Sequence, residues 1–249
     1  MKDALSRHVF GLAAIAFGLC ALRFHDINTL HQLRALAGAP REAFSYAIAA
    51  IEILAGAALQ WRTTARGGAV ALSVVYLFFA LLGLPYLVMH PLVYNSYGNF
   101  FEQFSLFAAA VLLYASPGFA RAAYYTFGVC LLSFALEQWF YLAATASLVP
   151  KWIPPGQTFW AIATTVAFAL AAIAVLSGIQ ARLAVVLSTT MLFGFLLLVW
   201  VPALVAAPSS FENWSEAIET LAIAASAWVV ADALARWPKQ TRAPAVSSI

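Results

Sequence analysis

Asn99-Phe100-Phe101-Glu102 opens one apolar run of this 249-residue chain, and Asn213-Trp214-Ser215-Glu216 opens another 114 residues later. Outward from these, Phe10-Gly11 and Phe17 recur as Phe127-Gly128 and Phe134 at a spacing of 117, and Ala65-Arg66 recurs as Ala181-Arg182 at 116. Near-constant spacing in register argues for one unit written twice. Residues 1–120 are read as the first unit and 121–237 as the second. Residues 238–249 are expected to form a disordered cytoplasmic tail, being polar and proline-containing.

Composition sets the class. The chain is 64% apolar and 9% charged, against roughly a quarter charged in soluble domains. A soluble fold has no way to hide that much apolar surface, so the lipid bilayer is the first partner. Eight apolar runs are marked at about 8–24, 43–61, 68–93, 100–118, 122–148, 157–178, 182–206 and 214–236. A crossing helix needs about 20 such residues, and no run alternates apolar with polar residues as a barrel strand would. The predicted fold is all-α: a polytopic membrane protein with eight transmembrane helices, arranged as two tandem four-helix bundles of the same orientation. The first run has a copy in the second unit and lacks a small-residue cleavage site, so it reads as a retained helix and not as a signal peptide.

Basic residues orient the chain. With eight crossings, Lys2, Arg7, Arg62, Arg66, Arg121, Arg182, Arg236, Lys239 and Arg242 fall on one side, and Arg23, Arg34, Arg41 and Lys151 on the other. The richer side is cytoplasmic by the positive-inside rule, which places both termini there in a bacterial-type inner membrane. The same asymmetry accounts for the basic balance, so nucleic acid is not read as a partner. Ile27, Leu30, Leu33 and Leu36 have helical spacing within the first outer connection and suggest a short surface helix.

The first unit combines a Gly-containing helix (Phe10-Gly11 through Gly18-Leu19) with an acid followed by small residues (Glu52-Ile53-Leu54-Ala55-Gly56). A basic turn then leads into an Ala/Leu-rich helix, Arg62 to Ala71. Val149-Pro150, Pro154-Pro155, Ser177-Gly178 and Ala181-Arg182-Leu183 give the second unit the same cast. This pattern resembles the DoxX-like membrane protein family, whose members are commonly four-helix units. The family takes its name from a subunit of a quinone-reducing thiosulfate oxidoreductase. The resemblance therefore implies a membrane component of a quinone-linked redox system; the residues show no electron-carrying centre, so a partner redox protein is expected to deliver the electrons.

Ionisable groups inside an apolar run are costly, and each is a site hypothesis. Glu52 lies half-way along the second run and Glu137 in the outer half of the fifth. His90 ends the third, and Glu102, Glu216 and Glu219 lie in the first turns of the fourth and eighth. With Tyr141 beside Glu137, these are the candidates for ligand or proton binding. Apart from Glu52 they share an outer depth, as expected of a polar pocket opening outward between the repeats. A structural alternative stands beside this: Asn99 with Glu102, and Asn213 with Glu216, have the spacing of capping boxes. Cys20 and Cys130 differ in depth by roughly 10 Å, too far for a disulfide. His8, His25, His31 and His90 show no metal-ligand spacing. No cofactor motif is evident in the residues. A quinone is the candidate ligand, needing an apolar slot with a proton-exchanging group at its carbonyl. A small-solute or proton-coupled transporter, and a membrane scaffold or assembly protein, are the alternatives.

Overall fold

The computed structural model describes residues 5–26, 39–93 and 95–236. The surface helix expected around Ile27 to Leu36 and the tail at 238–249 lie outside the described residues. Among those described there are helices and no strand, in the order α1 Leu5–Phe24, α2 Ala39–Ala58, α3 Ala65–Met89, α4 Asn95–Leu112 and α5 Pro117–Phe140. There follow α6 Leu142–Leu148, α7 Gln157–Ser177, α8 Ala181–Phe195, a π-helical turn Leu196–Trp200, α9 Val201–Ala206 and α10 Phe211–Arg236.

Local chemistry explains the boundaries that hydropathy alone misplaces. The fourth run does not continue to 118, because Ser116 is extended and Pro117 starts the next helix at its first position, where its missing N–H is not needed. The run expected over 122–148 divides at Tyr141 into α5 and the short α6. Gly178, at φ 75°, takes the left-handed conformation that ends α7. Pro202 has no N–H to donate and its ring crowds the carbonyl four residues back. The helix widens just ahead of it, and Val201 N–H reaches the Leu196 carbonyl five residues away.

Among the described residues, six stretches are long and apolar enough to cross a membrane: Leu5–Phe24, Ala65–Met89, Pro117–Phe140, Gln157–Ser177, Ala181–Ala206 and Phe211–Arg236. The chain is thus an all-helical protein of multi-pass membrane character. Leu12, Leu19, Leu54, Val74, Leu81, Leu170, Ile173 and Leu187 project outward from these helices and α2, as side chains facing acyl tails do. α2 and α4 carry more polar residues, among them Glu52 on α2 and Glu102, Gln103 and Ser105 on α4.

Helix α1 packs on α2 and α10, α2 on α3, α3 on α4, and α4 on α5 and α10. α5 then packs on α7, α7 on α8, and α8 on α10. These contacts close two rings of helices that share the α4–α10 pair. The shared pair is rich in buried alanine, including Ala108, Ala109 and Ala110 on α4 and Ala222, Ala224, Ala225 and Ala227 on α10. Small side chains let several backbones approach one helix closely, which is how helices associate where lipid removes the hydrophobic drive. The α1–α2 crossing is closer still. A Cβ on Gly56 would sit 2.5 Å from the Gly11 carbonyl oxygen, and one on Gly11 2.7 Å from the Gly56 oxygen.

Candidate functional site

The ring formed by α4, α5, α7, α8 and α10 lines an open cavity of about 460 Å³. Glu102 from α4, Glu137 from α5 and Glu216 from α10 converge on it, with Gln138 and Tyr141 beside them. The remaining wall is largely apolar. Phe134, Phe168, Leu192, Phe195 and Ile223 line it, with Phe168 edge-on to both Phe134 and Phe195 at ring separations of 5.9 and 6.3 Å. Apart from Glu102, every described lining residue comes from the stretch 121–237. The pocket was expected between residues 1–120 and 121–237; its lining comes from 121–237 with Glu102 as the one described contribution from 1–120.

Each carboxyl is placed by its helix. Glu137 lies one turn before the end of α5 at Phe140. Its carboxylate rests against Gly98 of α4, where a Cβ would collide with both carboxylate oxygens. Gly98→Ala is therefore expected to push Glu137 off this wall. In a ligand-binding assay it should reproduce a large part of the loss caused by removing the carboxyl itself. Glu102 is near enough to Glu137, Glu216 and Glu219 for their charges to interact, as is Glu137 to Glu216. An apolar cavity does not hold several like charges together, so carboxyls grouped in this way are able to share and exchange protons.

Gln138 is oriented by Thr164 and Thr165, whose hydroxyls donate to its Oε1 at 3.3 and 3.2 Å. The rim is formed by Tyr141, Leu148, Val149, Pro150 and Ile153, together with the π-turn residues Leu198, Val199 and Trp200. Gln157 Nε2 donates to the Val149 carbonyl at 2.6 Å and ties this rim to the start of α7. A π-turn in a helix often marks a functional wall, because it frees backbone groups and shifts the register of the side chains.

A second, much smaller cavity of about 20 Å³ lies in the other ring and is lined by Glu52, Glu219, Tyr76, Gln103, Cys20 and Ser215, among others. Gln103 Nε2 donates to Glu219 Oε1 at 3.0 Å. Of the seven candidates from sequence, Glu102, Glu137, Glu216 and Tyr141 share the large cavity, and Glu52 and Glu219 the small one. His90 joins neither. It is exposed at the end of α3, its ring 4.6 Å from that of Tyr86.

The capping-box alternative does not hold. α4 begins at Asn95, four residues before Asn99, and α10 at Phe211, two before Asn213. An N-cap must flank the helix in a non-helical conformation, and both asparagines are already inside. Ser210 accepts from the Asn213 N–H at 3.2 Å and takes the cap itself, while the Asn213 amide donates to the Ala203 carbonyl at 3.1 Å. Glu102 and Glu216 are thereby released from capping and line the cavity. Sequence reasoning missed Gly98, Gln138 and the polar group at the opposite end. There Ser6 donates to Asp232 at 2.6 Å, and His8 Nδ1 meets Gln60 Oε1 at 2.9 Å. An intramembrane Gln next to the Glu137 candidate was the available signal for Gln138; nothing in the sequence marked Gly98.

Cys20 and Cys130 are both buried and free, as their difference in depth requires. Among the described residues, no group of three or more His, Cys, Asp or Glu side chains is arranged to hold a metal ion. The fold and site define a helical protein of multi-pass membrane character with a carboxyl-lined cavity among its helices. No family model, curated protein or solved structure matches the chain.

Proposed function

We propose that the protein binds an amphipathic small molecule, of the quinone class, in the cavity of its second unit, as the membrane component of a redox system. The observation that carries this reading is the meeting of three carboxyls from three helices in an otherwise apolar space of about 460 Å³. That volume lies within the ~300–1,000 Å³ of small-molecule sites, and an apolar wall with a few convergent polar groups is their usual make-up. Reducing a quinone to a quinol consumes two electrons and two protons. The carboxyls supply the protons, and a partner redox protein must deliver the electrons.

The reading includes eight crossings in two tandem units. α2 and α4, at 20 and 18 residues, have the length to join the six more apolar spans. Two features support the repeat. Exchanging α1, α2, α3 and α4 for α5, α7, α8 and α10 maps the helix contacts onto themselves, with α1–α10 becoming α5–α4. Moreover, Phe17 and Phe134, Tyr76 and Leu192, and Phe79 and Phe195 line the small and large cavities respectively, at the spacings of 117 and 116 found in the sequence. The DoxX-like resemblance fits a duplicated four-helix unit. Basic-residue counts favour both termini in the cytoplasm of a bacterial-type inner membrane, so that the cavity opens on the outer side.

Solvent extraction of the purified protein should release quinone near one per chain, or the protein should bind an added short-chain quinone and quench its tryptophans. Loss of a hydrogen bond to a charged or proton-sharing carboxyl costs about 1.5–3 kcal/mol, so Glu137→Gln should weaken binding at least tenfold. Neither bound nor bindable quinone in the wild type would remove this reading. Proton-coupled solute transport is the second reading, favoured by the continuation of carboxyls past the cavity to Glu219 and Glu52. Solute-dependent proton uptake into proteoliposomes would establish it instead.

A further inference from the structure

The carboxyls do not stop at the ligand cavity. Along their helices, measured from the end that carries α6, they form a descending series. Glu212 is the second residue of α10, Glu137 is three residues from the end of α5, and Glu216 is five residues into α10. Glu102 is seven residues into α4, and Glu219 eight into α10. Glu52 is thirteen residues into α2, about 20 Å down at 1.5 Å per residue. Members of the series lie within electrostatic reach of one another: Glu212 of Glu216, Glu216 of Glu137 and Glu102, and Glu102 of Glu219. Tyr76 of α3, its side chain fully buried, lies within such reach of both Glu219 and Glu52 and bridges the last step.

Glu52 is the odd member. It is 4% exposed, and among the described residues no hydrogen bond to its carboxyl is found. It faces the small cavity, whose volume of about 20 Å³ exceeds the ~10–15 Å³ that one water needs. From the elements around it, Cys20 of α1, Tyr76 of α3, Gln103 of α4, and Ser215 and Glu219 of α10 also line that cavity, and Asp26 stands at its edge. A buried carboxyl with no hydrogen bond among the described residues, beside a void of one-water size whose wall also carries Gln103, Ser215 and Glu219, is a place where a water and a proton belong. Beyond Glu52 the series breaks. Gln60, which meets His8, lies in the turn just past the end of α2, and between it and Glu52 the backbones of Gly11 and Gly56 come into close approach.

We propose that Glu216, Glu102, Glu219 and Glu52 form a proton half-channel, running from the ligand cavity across the α4–α10 wall to a water-bridged terminal acceptor at Glu52, and closed below by the α1–α2 crossing. It is a different function from ligand binding and holds whichever small molecule occupies the cavity. A proton hops by breaking one O–H bond and forming the next, so no oxidant or reductant is involved. Tyr76 and one ordered water span the gap between Glu219 and Glu52.

Infrared hydrogen–deuterium exchange of the protein in lipid nanodiscs tests this. A carboxylic-acid C=O band belonging to Glu52 is identified by its loss in Glu52→Gln, and its shift after a jump into D₂O is timed. Glu219→Leu should slow that shift at least tenfold, while Gln60→Leu, at the opposite end, should leave it unchanged. Slowing by Gln60→Leu, or an unchanged rate in Glu219→Leu, would show that Glu52 is reached from the other side or by another route and would overturn the half-channel. No band lost in Glu52→Gln would overturn Glu52 as its terminus. Should Glu219→Leu fail to fold, Glu219→Gln, which keeps the shape and removes the exchangeable carboxyl, serves in its place. Quinone binding measured on the same variants reports separately on the ligand reading, because Glu219 does not line the large cavity.

Discussion

Gly56→Val is expected to be the most damaging single substitution in the first half of the chain. A Cβ at this position would lie 2.5 Å from the Gly11 carbonyl oxygen, 2.9 Å from Ile15 Cγ1 and 3.0 Å from the Ile15 nitrogen. Two of these three are backbone atoms of the facing helix and have no rotamer through which to give way. The helices must separate, and the packing that replaces hydrophobic drive between membrane helices is lost along the crossing. Overpacking costs typically 1–3 kcal/mol and sometimes more. With two backbone atoms in the way the cost should reach the upper end, about 3 kcal/mol, and at 2–4 °C per kcal/mol for a chain of this size the fall in Tm should be roughly 6–12 °C. Tryptophan-monitored melting in detergent reads it directly. Gly67→Val is the control, because nothing lies within 4 Å of a Cβ there. Equal melting of the two variants would mean that α1 and α2 do not cross at their glycines.

Gly194→Phe should have the largest effect on binding and the opposite effect on stability. Gly194 lines the large cavity, and a Cβ added to it meets nothing within 4 Å. A phenyl ring from this position therefore extends into the space the ligand needs. The position is helical, within α8, where glycine costs about 1 kcal/mol relative to alanine. Affinity for a quinone should fall at least tenfold while the melting temperature holds or rises. Gly194→Ala should gain the stability with little change in affinity. Unaltered binding in Gly194→Phe would show that the ligand sits elsewhere.

How far these features were legible from sequence differs by element. The 157–178 and 182–206 runs agree with Gln157–Ser177 and Ala181–Ala206 to within a residue, because Gly178 and the basic turn after it are local signals. The run over 100–118 was displaced from Asn95–Leu112. Hydropathy averages over a window and does not register that Ser116-Pro117 begins a new helix. Intramembrane acids were visible one by one, since the cost of a carboxyl in lipid depends on its own run of neighbours. Their grouping was not. Glu102 and Glu216 matched a capping-box spacing as well as a site, and only the actual helix starts, at Asn95 and Phe211, separate the two. His90 shared the outer depth of the acids, but depth is one coordinate of three, and its ring stands outside both cavities.

Composition and apolar run length alone determined that this is a helical chain of multi-pass membrane character, because the transfer of side chains into lipid is a sum over residues and needs no partners. Which carboxyls face one another was decided only by tertiary structure. α4 and α10 are brought together through their alanines, Gly98 leaves room for the Glu137 carboxylate, and Gly11 and Gly56 let α1 and α2 cross closely one turn beyond Glu52. Proximity of that kind depends on how backbones pack to within a few ångströms, and residues far apart in the chain carry no local record of it.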